Sequence, residues 1–133
     1  MYNHILRASD GYYATGQTVP QNTSAFGDEG SLFTGNAQGA MAISIFAKTD
    51  VVLADTKVLT LNIYDSADNS TFALFAKCTS VTADGETTYS AGDQIGDDYV
   101  LPPSANEWTK AQLVTDDAAV TGTVDVFLHY LPR

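Results

Sequence analysis

The chain is poor in basic residues and in cysteine, and it has no long apolar run. It carries six lysine and arginine residues against sixteen aspartates and glutamates, which gives a formal net charge of −10. A field of that sign repels phosphate groups, so we expect neither nucleic acid nor a membrane surface as a partner. The single cysteine, Cys78, excludes an intramolecular disulfide framework. No apolar stretch approaches the length of about 20 residues that crosses a bilayer.

The first residues, MYNHILRASDGYY, have no basic segment followed by an apolar core, so we expect no secretory signal. Together with the lone cysteine, this favours synthesis in a reducing compartment such as the cytoplasm. The 133 residues have the length of one domain. We expect that domain to consist of an extended N-terminal arm, residues 1–38, and a β-sandwich core, residues 39–133.

The arm is predicted from its composition, since six of the ten glycines lie within residues 1–39, among asparagine, glutamine, threonine and serine. Only two short strands are indicated there, at Thr15–Pro20 and Ser31–Thr34. A long segment of this kind in a compact domain usually has a role, which here would be contact with a neighbouring subunit. The alternative is a set of ordinary surface loops.

The clearest structural signal is the segment KVLTLNIYDSADNSTFALFAKC, residues 57–78. Apolar residues at every second position of its first half predict a half-buried strand, and the polar turn at 65–70 favours a reversal of the chain. Strict alternation after the turn would place Leu74, Ala76 and Cys78 on one face with Phe72, and Phe75 on the other. The segment thus predicts an antiparallel β-hairpin in which Cys78 is a buried, unreactive thiol.

Further segments alternate in the same way between turn signals, and no apolar period typical of a long helix is present. These segments are 40–48, 51–54, 87–91, 98–101, 107–115 and 120–131. About eight strands at such spacing predict an all-β fold, namely a two-sheet antiparallel β-sandwich with a jelly-roll-like topology.

The common hydrolase, kinase and zinc-protease motifs are absent from the sequence. The two histidines, His4 and His129, are separated by almost the whole chain, and neither has an identifiable base partner or a set of metal ligands beside it. Carboxylates occur in short groups in apparent loops, at 28–29, 84–86, 93, 97–98 and 116–117. Since carboxylates are common in solvated turns, we predict no catalytic residue and no cofactor.

The best candidate for a metal site is the tip of the hairpin, where Asp65, Asp68 and Asn69 offer hard oxygen ligands within one turn. The spacing lacks the central glycine and the terminal glutamate of an EF-hand loop. The same residue types are typical of turns that bond their own backbone, and we therefore predict no bound metal.

Three parts of the chain resemble one known family. The hairpin with its turn IYDSADNSTFALF, the opening arm rich in glycine and threonine, and the closing TGTVDVFLHYLPR are similar to the small jelly-roll cement, or capsid decoration, proteins of tailed bacteriophages, of the short-tailed Bordetella phage type. The resemblance implies a non-enzymatic protein on the outside of the virion that straddles neighbouring major capsid subunits and reinforces the expanded shell. It also implies a homodimer or homotrimer, and it carries over no catalytic residue.

If the chain acts in this way, we expect Phe26, Leu32 and Phe33 in the arm to supply oligomer or capsid contacts. Trp108, the only tryptophan, lies in a predicted strand and either packs inward or is a further candidate contact, because tryptophan is enriched at interfaces. Two other functions stay open. One is a carbohydrate- or receptor-binding β-sandwich of a virion or fibre, and the other is a small hydrolase that uses two facing carboxylates.

Overall fold

The computed structural model describes residues 6–35, 41–102 and 104–130, with backbone alone at residues 6–10 and 130. Within these ranges the chain forms strands and no helix, and no helix there is long and apolar enough to cross a membrane. The strands are β1 (Leu6–Thr18), β2 (Ser24–Phe26), β3 (Leu32–Phe33), β4 (Met41–Ala47), β5 (Val51–Leu53), β6 (Val58–Ser66), β7 (Ala73–Thr82), β8 (Thr87–Tyr89), β9 (Tyr99–Val100), β10 (Trp108–Thr115) and β11 (Thr123–Tyr130).

The strands form two main sheets, in which every paired strand is antiparallel to its neighbour. Sheet A has the order β1-β11-β4-β9, and sheet B has the order β2-β10-β6-β7 with β3 also on β10. A small third sheet joins β5 and β8. The pairs β1·β11, β2·β10, β4·β9 and β6·β7 are nested one inside the next along the chain, and they alternate between the sheets. This is the topology of a jelly roll, and the predicted all-β sandwich is confirmed.

The core lies between the two sheets and follows from the alternation of β6 and β10. Leu59, Leu61 and Ile63 of β6 point inward beside Ala111 and Leu113 of β10, and all are at most 2% exposed. Burial of each such aliphatic side chain contributes roughly 1.5–3 kcal/mol. The matching inward residues of sheet A are Ile43, Ile45, Val124 and Val126.

The strands β4 and β11 are buried on both faces, which their simple alternation did not indicate. Ser44, Phe127 and His129 point away from the core and are still at most 1% exposed. The loop before β9 accounts for part of this cover, because the Ile95 N–H donates to the Ile45 carbonyl at 2.8 Å and so ties the loop to β4. Sheet A therefore has little open outer surface near its centre.

The N-terminal segment is extended, but its first strand is far longer than the predicted Thr15–Pro20, because β1 pairs along β11 with three register shifts. Tyr13 and Ala14 of β1 are fully buried in the core. The second predicted strand, Ser31–Thr34, contains β3. The described part of the arm is thus integrated into the sandwich, whereas residues 1–5 and 36–38 of it lie outside the described residues.

The predicted hairpin at residues 57–78 is confirmed by β6 and β7, but the predicted faces of β7 are wrong. Leu61 pairs with Thr79 and Asn62 with Lys77, so Cys78 is an extra residue in β7. Phe75 is extra in the same way between Ala76 and Leu74. Each such bulge reverses the in-out order of the residues that follow it. Leu74 is consequently 59% exposed, whereas Phe75 and Cys78 both pack against the core.

The strand β2 was not predicted. The remaining predicted strands agree closely with the structure, with one difference at the last strand. It begins at Thr123 and not at Val120, because Gly122 has a φ of 108° and interrupts the extended backbone. Val120 is nevertheless buried, at 1% exposure. Ala40 and Leu131, the outer ends of two predicted strands, lie outside the described residues.

Candidate functional site

The outer face of sheet B carries the most exposed apolar surface of the described chain. Alternate residues of β10 point outward, and pairing brings them against outward residues of the neighbouring strands. Trp108 lies beside Phe33 of β3, Lys110 lies opposite Tyr64 of β6, and Gln112 lies between its neighbours on β2 and β6. Residues that are distant in the sequence are therefore collected on one flat surface.

Aromatic side chains form two edge-to-face pairs on this surface. The ring centroids of Phe26 and Tyr64 are 5.1 Å apart at an interplanar angle of 77°. Those of Phe33 and Trp108 are 5.2 Å apart at 72°. This geometry places the positive edge of one ring against the negative face of the other, which contributes about 0.5–1.5 kcal/mol per pair beyond area burial. The rings are thus fixed relative to one another while remaining partly open to solvent.

Exposure is concentrated on the same surface. Four large hydrophobic side chains of the described residues are exposed, and three of them are Phe26 at 41%, Phe33 at 50% and Leu74 at 59%, all on this face. The fourth, Val100 at 47%, lies on β9 of sheet A. We call the set Phe26, Phe33, Tyr64, Phe72, Leu74, Trp108 and Lys110 the aromatic face.

Lys110 lies among the rings of the aromatic face. Its Nζ is 4.0 Å from the centroid of Phe26 and 4.4 Å from that of Phe72. Both distances are within the range of cation–π attraction, which is stronger where the cation is shielded from water. The rings therefore hold the ammonium group at a defined position.

The face also differs in charge from the rest of the chain. The outward residues of sheet B that pair with one another include no carboxylate: they are Ser24, Phe26, Phe33, Val58, Thr60, Asn62, Tyr64, Ser66, Leu74, Lys77, Ser80, Thr82, Trp108, Lys110, Gln112 and Val114. The sequence as a whole holds sixteen carboxylate residues and only six basic ones. Two of the basic residues, Lys77 and Lys110, are at these outward positions. The paired positions of this surface are thus apolar and weakly basic, and the carboxylate residues Glu107 and Asp68 lie beside them, next to Phe33 and Ser66 respectively.

Of the four contact residues expected from the sequence, the structure brings three together. Phe26, Phe33 and Trp108 all belong to the aromatic face. Leu32 lies on the other side of β3, opposite the buried Thr109, and packs against the core. Its inward position follows from the alternation of neighbouring residues along a strand.

Sequence reasoning missed the other members of the face. Tyr64 and Lys110 meet because β6 pairs with β10, a partnership that no local pattern specifies. Leu74 faces outward because of the bulge at Phe75. No glycine or other turn-forming residue marks this bulge in the sequence. One signal was present in the sequence: Trp108 and Lys110 are two residues apart in a predicted strand, which places their side chains on the same face.

Each of the three candidate metal ligands at the hairpin tip has a structural role. Asp65 is buried and accepts from the Asn106 N–H at 2.9 Å. Asp68 accepts from the backbone N–H groups of Thr71 and Ser70, and with the Ser66 hydroxyl these bonds lower the pKa of Asp68. Asn69 has a φ of 59°, the left-handed conformation that asparagine tolerates in turns. No group of three histidine, cysteine, aspartate or glutamate side chains that could hold a metal ion occurs among the described residues.

Several other carboxylates also bind loop backbone. Asp117 is buried and accepts from the Ala54 and Ala119 N–H groups, each at 2.8 Å, and these two bonds lower its pKa. Asp28 accepts from the Thr15 N–H at 3.1 Å. Carboxylates of this kind hold neighbouring loops in place.

One polar cluster was not foreseen. The Ser44 Oγ and the Asp98 Oδ1 both lie near the same nitrogen of His129, Nε2, at 2.7 Å and 3.5 Å. A serine nucleophile relay needs the carboxylate on the other ring nitrogen of the histidine, and it needs a reachable hydroxyl. Here the Ser44 hydroxyl donates directly to Asp98, and both Ser44 and His129 are 1% exposed. The cluster joins β4, β11 and the loop before β9.

Cys78 is half-buried and packs against the core. Burial raises the pKa of its thiol to about 12. The thiol is therefore protonated at neutral pH, which agrees with the predicted lack of reactivity.

No protein-family model matches this chain, and a search of curated proteins found no match.

Proposed function

We propose that the protein is a non-enzymatic structural protein that binds the outer surface of a phage capsid and cements neighbouring major capsid subunits. The observation that carries the proposal is the concentration of exposed aromatic side chains on the outer face of sheet B. Contiguous exposed apolar surface on a folded protein marks a site of interaction. The family resemblance described above supports the major capsid protein as the proposed partner.

The composition of the aromatic face suits a protein interface. Aromatic residues are enriched in the buried centres of interfaces, where a few of them supply most of the binding energy. Phe33 and Trp108 would form such a centre, because Phe33 is half exposed and its ring is already fixed by Trp108. Fixed side chains lose little conformational freedom on binding, so more of the contact energy is retained.

A rigid sandwich can reinforce a shell without large affinity per contact. A homodimer or homotrimer presents several aromatic faces at once, and linked sites bind far more tightly than single ones. A protein that binds only the assembled shell also stabilises it by mass action. We place the protein on the capsid exterior, after synthesis in the host cytoplasm.

The test uses expanded empty shells assembled from the major capsid protein encoded in the same genome. Co-sedimentation should recover the wild-type protein with the shells, and Phe33→Ser should abolish most of that recovery. Val100→Ser is the matched control, because Val100 is similarly exposed but lies on sheet A. Circular dichroism on both variants checks that each is folded. Shells that fail to retain the wild-type protein would overturn the proposal.

A second candidate, a carbohydrate-binding module, is favoured by one observation. The Asn62 side-chain amide donates to the Gln112 side-chain carbonyl at 3.3 Å on the outer face of sheet B. Gln112 pairs with Phe26, so polar groups lie beside an aromatic ring as in many sugar sites. Binding on a glycan array that Phe26→Ala removes would support this function over the capsid role.

A further inference from the structure

We propose that the aromatic face recognises carboxylate groups on an acidic surface of a different protein, with the Lys110 ammonium as the central contact. The identity of that surface as a capsid shell rests on the proposed function. The chemistry that the face selects is argued from its own residues.

The first argument is charge complementarity. The chain has a net charge of −10, yet the paired outward positions of sheet B carry Lys77 and Lys110 and no carboxylate. A partner surface that bears carboxylates would be attracted to this face and repelled by the acidic remainder of the chain. The face therefore selects both the partner and the orientation in which it docks.

The second argument is the environment of Lys110. Its ammonium lies between the rings of Phe26 and Phe72, and it has no carboxylate partner among the described residues. An apolar partner surface would remove the ammonium from water and leave its three N–H donors unsatisfied. A carboxylate opposite Lys110 satisfies those donors, and the surrounding rings exclude water from the pair.

The third argument concerns a second copy of this chain. A two-fold symmetric pairing through sheet B would bring identical faces together, with lysines from both copies and no carboxylate at the paired outward positions. These charges favour a different protein as the occupant of the face.

The experiment measures binding to the assembled shells by co-sedimentation at low and at moderate ionic strength. Lys110→Met keeps the apolar stem and removes the charge, and we expect about tenfold weaker binding, the loss of one charge-assisted contact. Lys110→Glu should weaken binding further, by about a hundredfold, because it places like charges in contact. Lys48→Glu is the control, since it makes the same change of net charge at an exposed residue just after β4. It should bind almost as the wild type does.

The outcomes separate this inference from the proposed function. If wild-type protein binds the shells and both Lys110 variants bind equally well, the inference is wrong while the capsid role stands. If the wild-type protein does not bind the shells, an NMR titration with poly-L-glutamate still tests whether the aromatic face recognises carboxylates. Shifts confined to the amides around Lys110 and Phe26 would support it, and their absence would overturn it. Light scattering that shows a wild-type oligomer dissociated by Lys110→Glu would assign the face to a second copy and also overturn it.

Discussion

Gly122 is a position at which one methyl group should strongly destabilise the fold. It lies just before β11, with a φ of 108°, and an added Cβ would be 2.3 Å from the Asp50 carbonyl oxygen and 2.8 Å from the Val51 Cα. The atoms in the way belong to backbone and cannot rotate aside. The Gly122 carbonyl also accepts from the Val19 N–H, at 3.1 Å, so movement of this residue would disturb a second contact.

The expected cost of Gly122→Ala has two parts. Left-handed backbone costs an alanine roughly 1–2 kcal/mol relative to glycine. Overpacking against fixed atoms adds about 1–3 kcal/mol. The sum, about 2–5 kcal/mol, is a large share of the roughly 5–15 kcal/mol by which domains are usually stable. We therefore expect a much lower urea midpoint, measured by circular dichroism and by the fluorescence of the single tryptophan, Trp108.

Gly85→Ala is the matched control. Gly85 has a φ of 72°, but an added Cβ would meet no atom within 4 Å. Only the backbone term applies there, so its cost should be about 1–2 kcal/mol. If Gly122→Ala and Gly85→Ala lower the free energy of unfolding equally, the close approach of Gly122 to Asp50 does not constrain the fold and the reasoning is refuted.

Two further predictions concern ionisable groups. Backbone hydrogen bonds lower the pKa of Asp117 in the folded state, so its stabilising effect is present above the ordinary pKa of 3.8 and is lost as the pH falls through the lower folded value. Asp117→Asn should therefore be clearly less stable than wild type at pH 7, and the difference should close only as the pH falls below the lowered folded pKa of Asp117, as measured by urea unfolding. An equal difference at pH 7 and at that low pH would contradict this. Cys78, with its pKa raised to about 12, should resist a thiol reagent at pH 8 in the native protein and react promptly in urea. Fast labelling of the folded protein, at the rate of an exposed thiol, would show that the thiol is not protected.

Strands could be predicted from the sequence where the local alternation of apolar and polar residues matches the two environments of the strand in the sheet. Alternation in 57–64 and 107–115 predicted β6 and β10, because each has one face on the core and the other outward. The length of β1 was not predictable, because its glycine-rich sequence has little strand character and pairing with β11 is what extends it. The faces of β7 were predicted wrongly for another reason: its two extra residues, Phe75 and Cys78, interrupt the regular alternation of inward and outward side chains.

The aromatic face, too, could be predicted only in part from the sequence. Phe26, Phe33 and Trp108 could be proposed from residue type alone, because unassigned aromatics in a polar segment need a packing partner or an interface. Their assembly with Tyr64 and Lys110 depends on which strands are neighbours in sheet B. Neighbour order is a property of the whole jelly roll, and no short segment of the sequence contains it.

The nested order of the strand pairs also has a consequence for how the chain reaches its native state. The innermost pair, β6 and β7, is joined by a short turn, whereas the outermost pair brings together Gly16 and Asp125, which are 109 positions apart and linked by a hydrogen bond of 2.7 Å. Contacts between distant residues require closure of long loops and slow folding relative to local contacts. We expect the central hairpin to form early and the pairing of β1 with β11 to complete the domain. Pulse-labelling hydrogen exchange during refolding should accordingly protect the amides of β6 and β7 before those of β1 and β11.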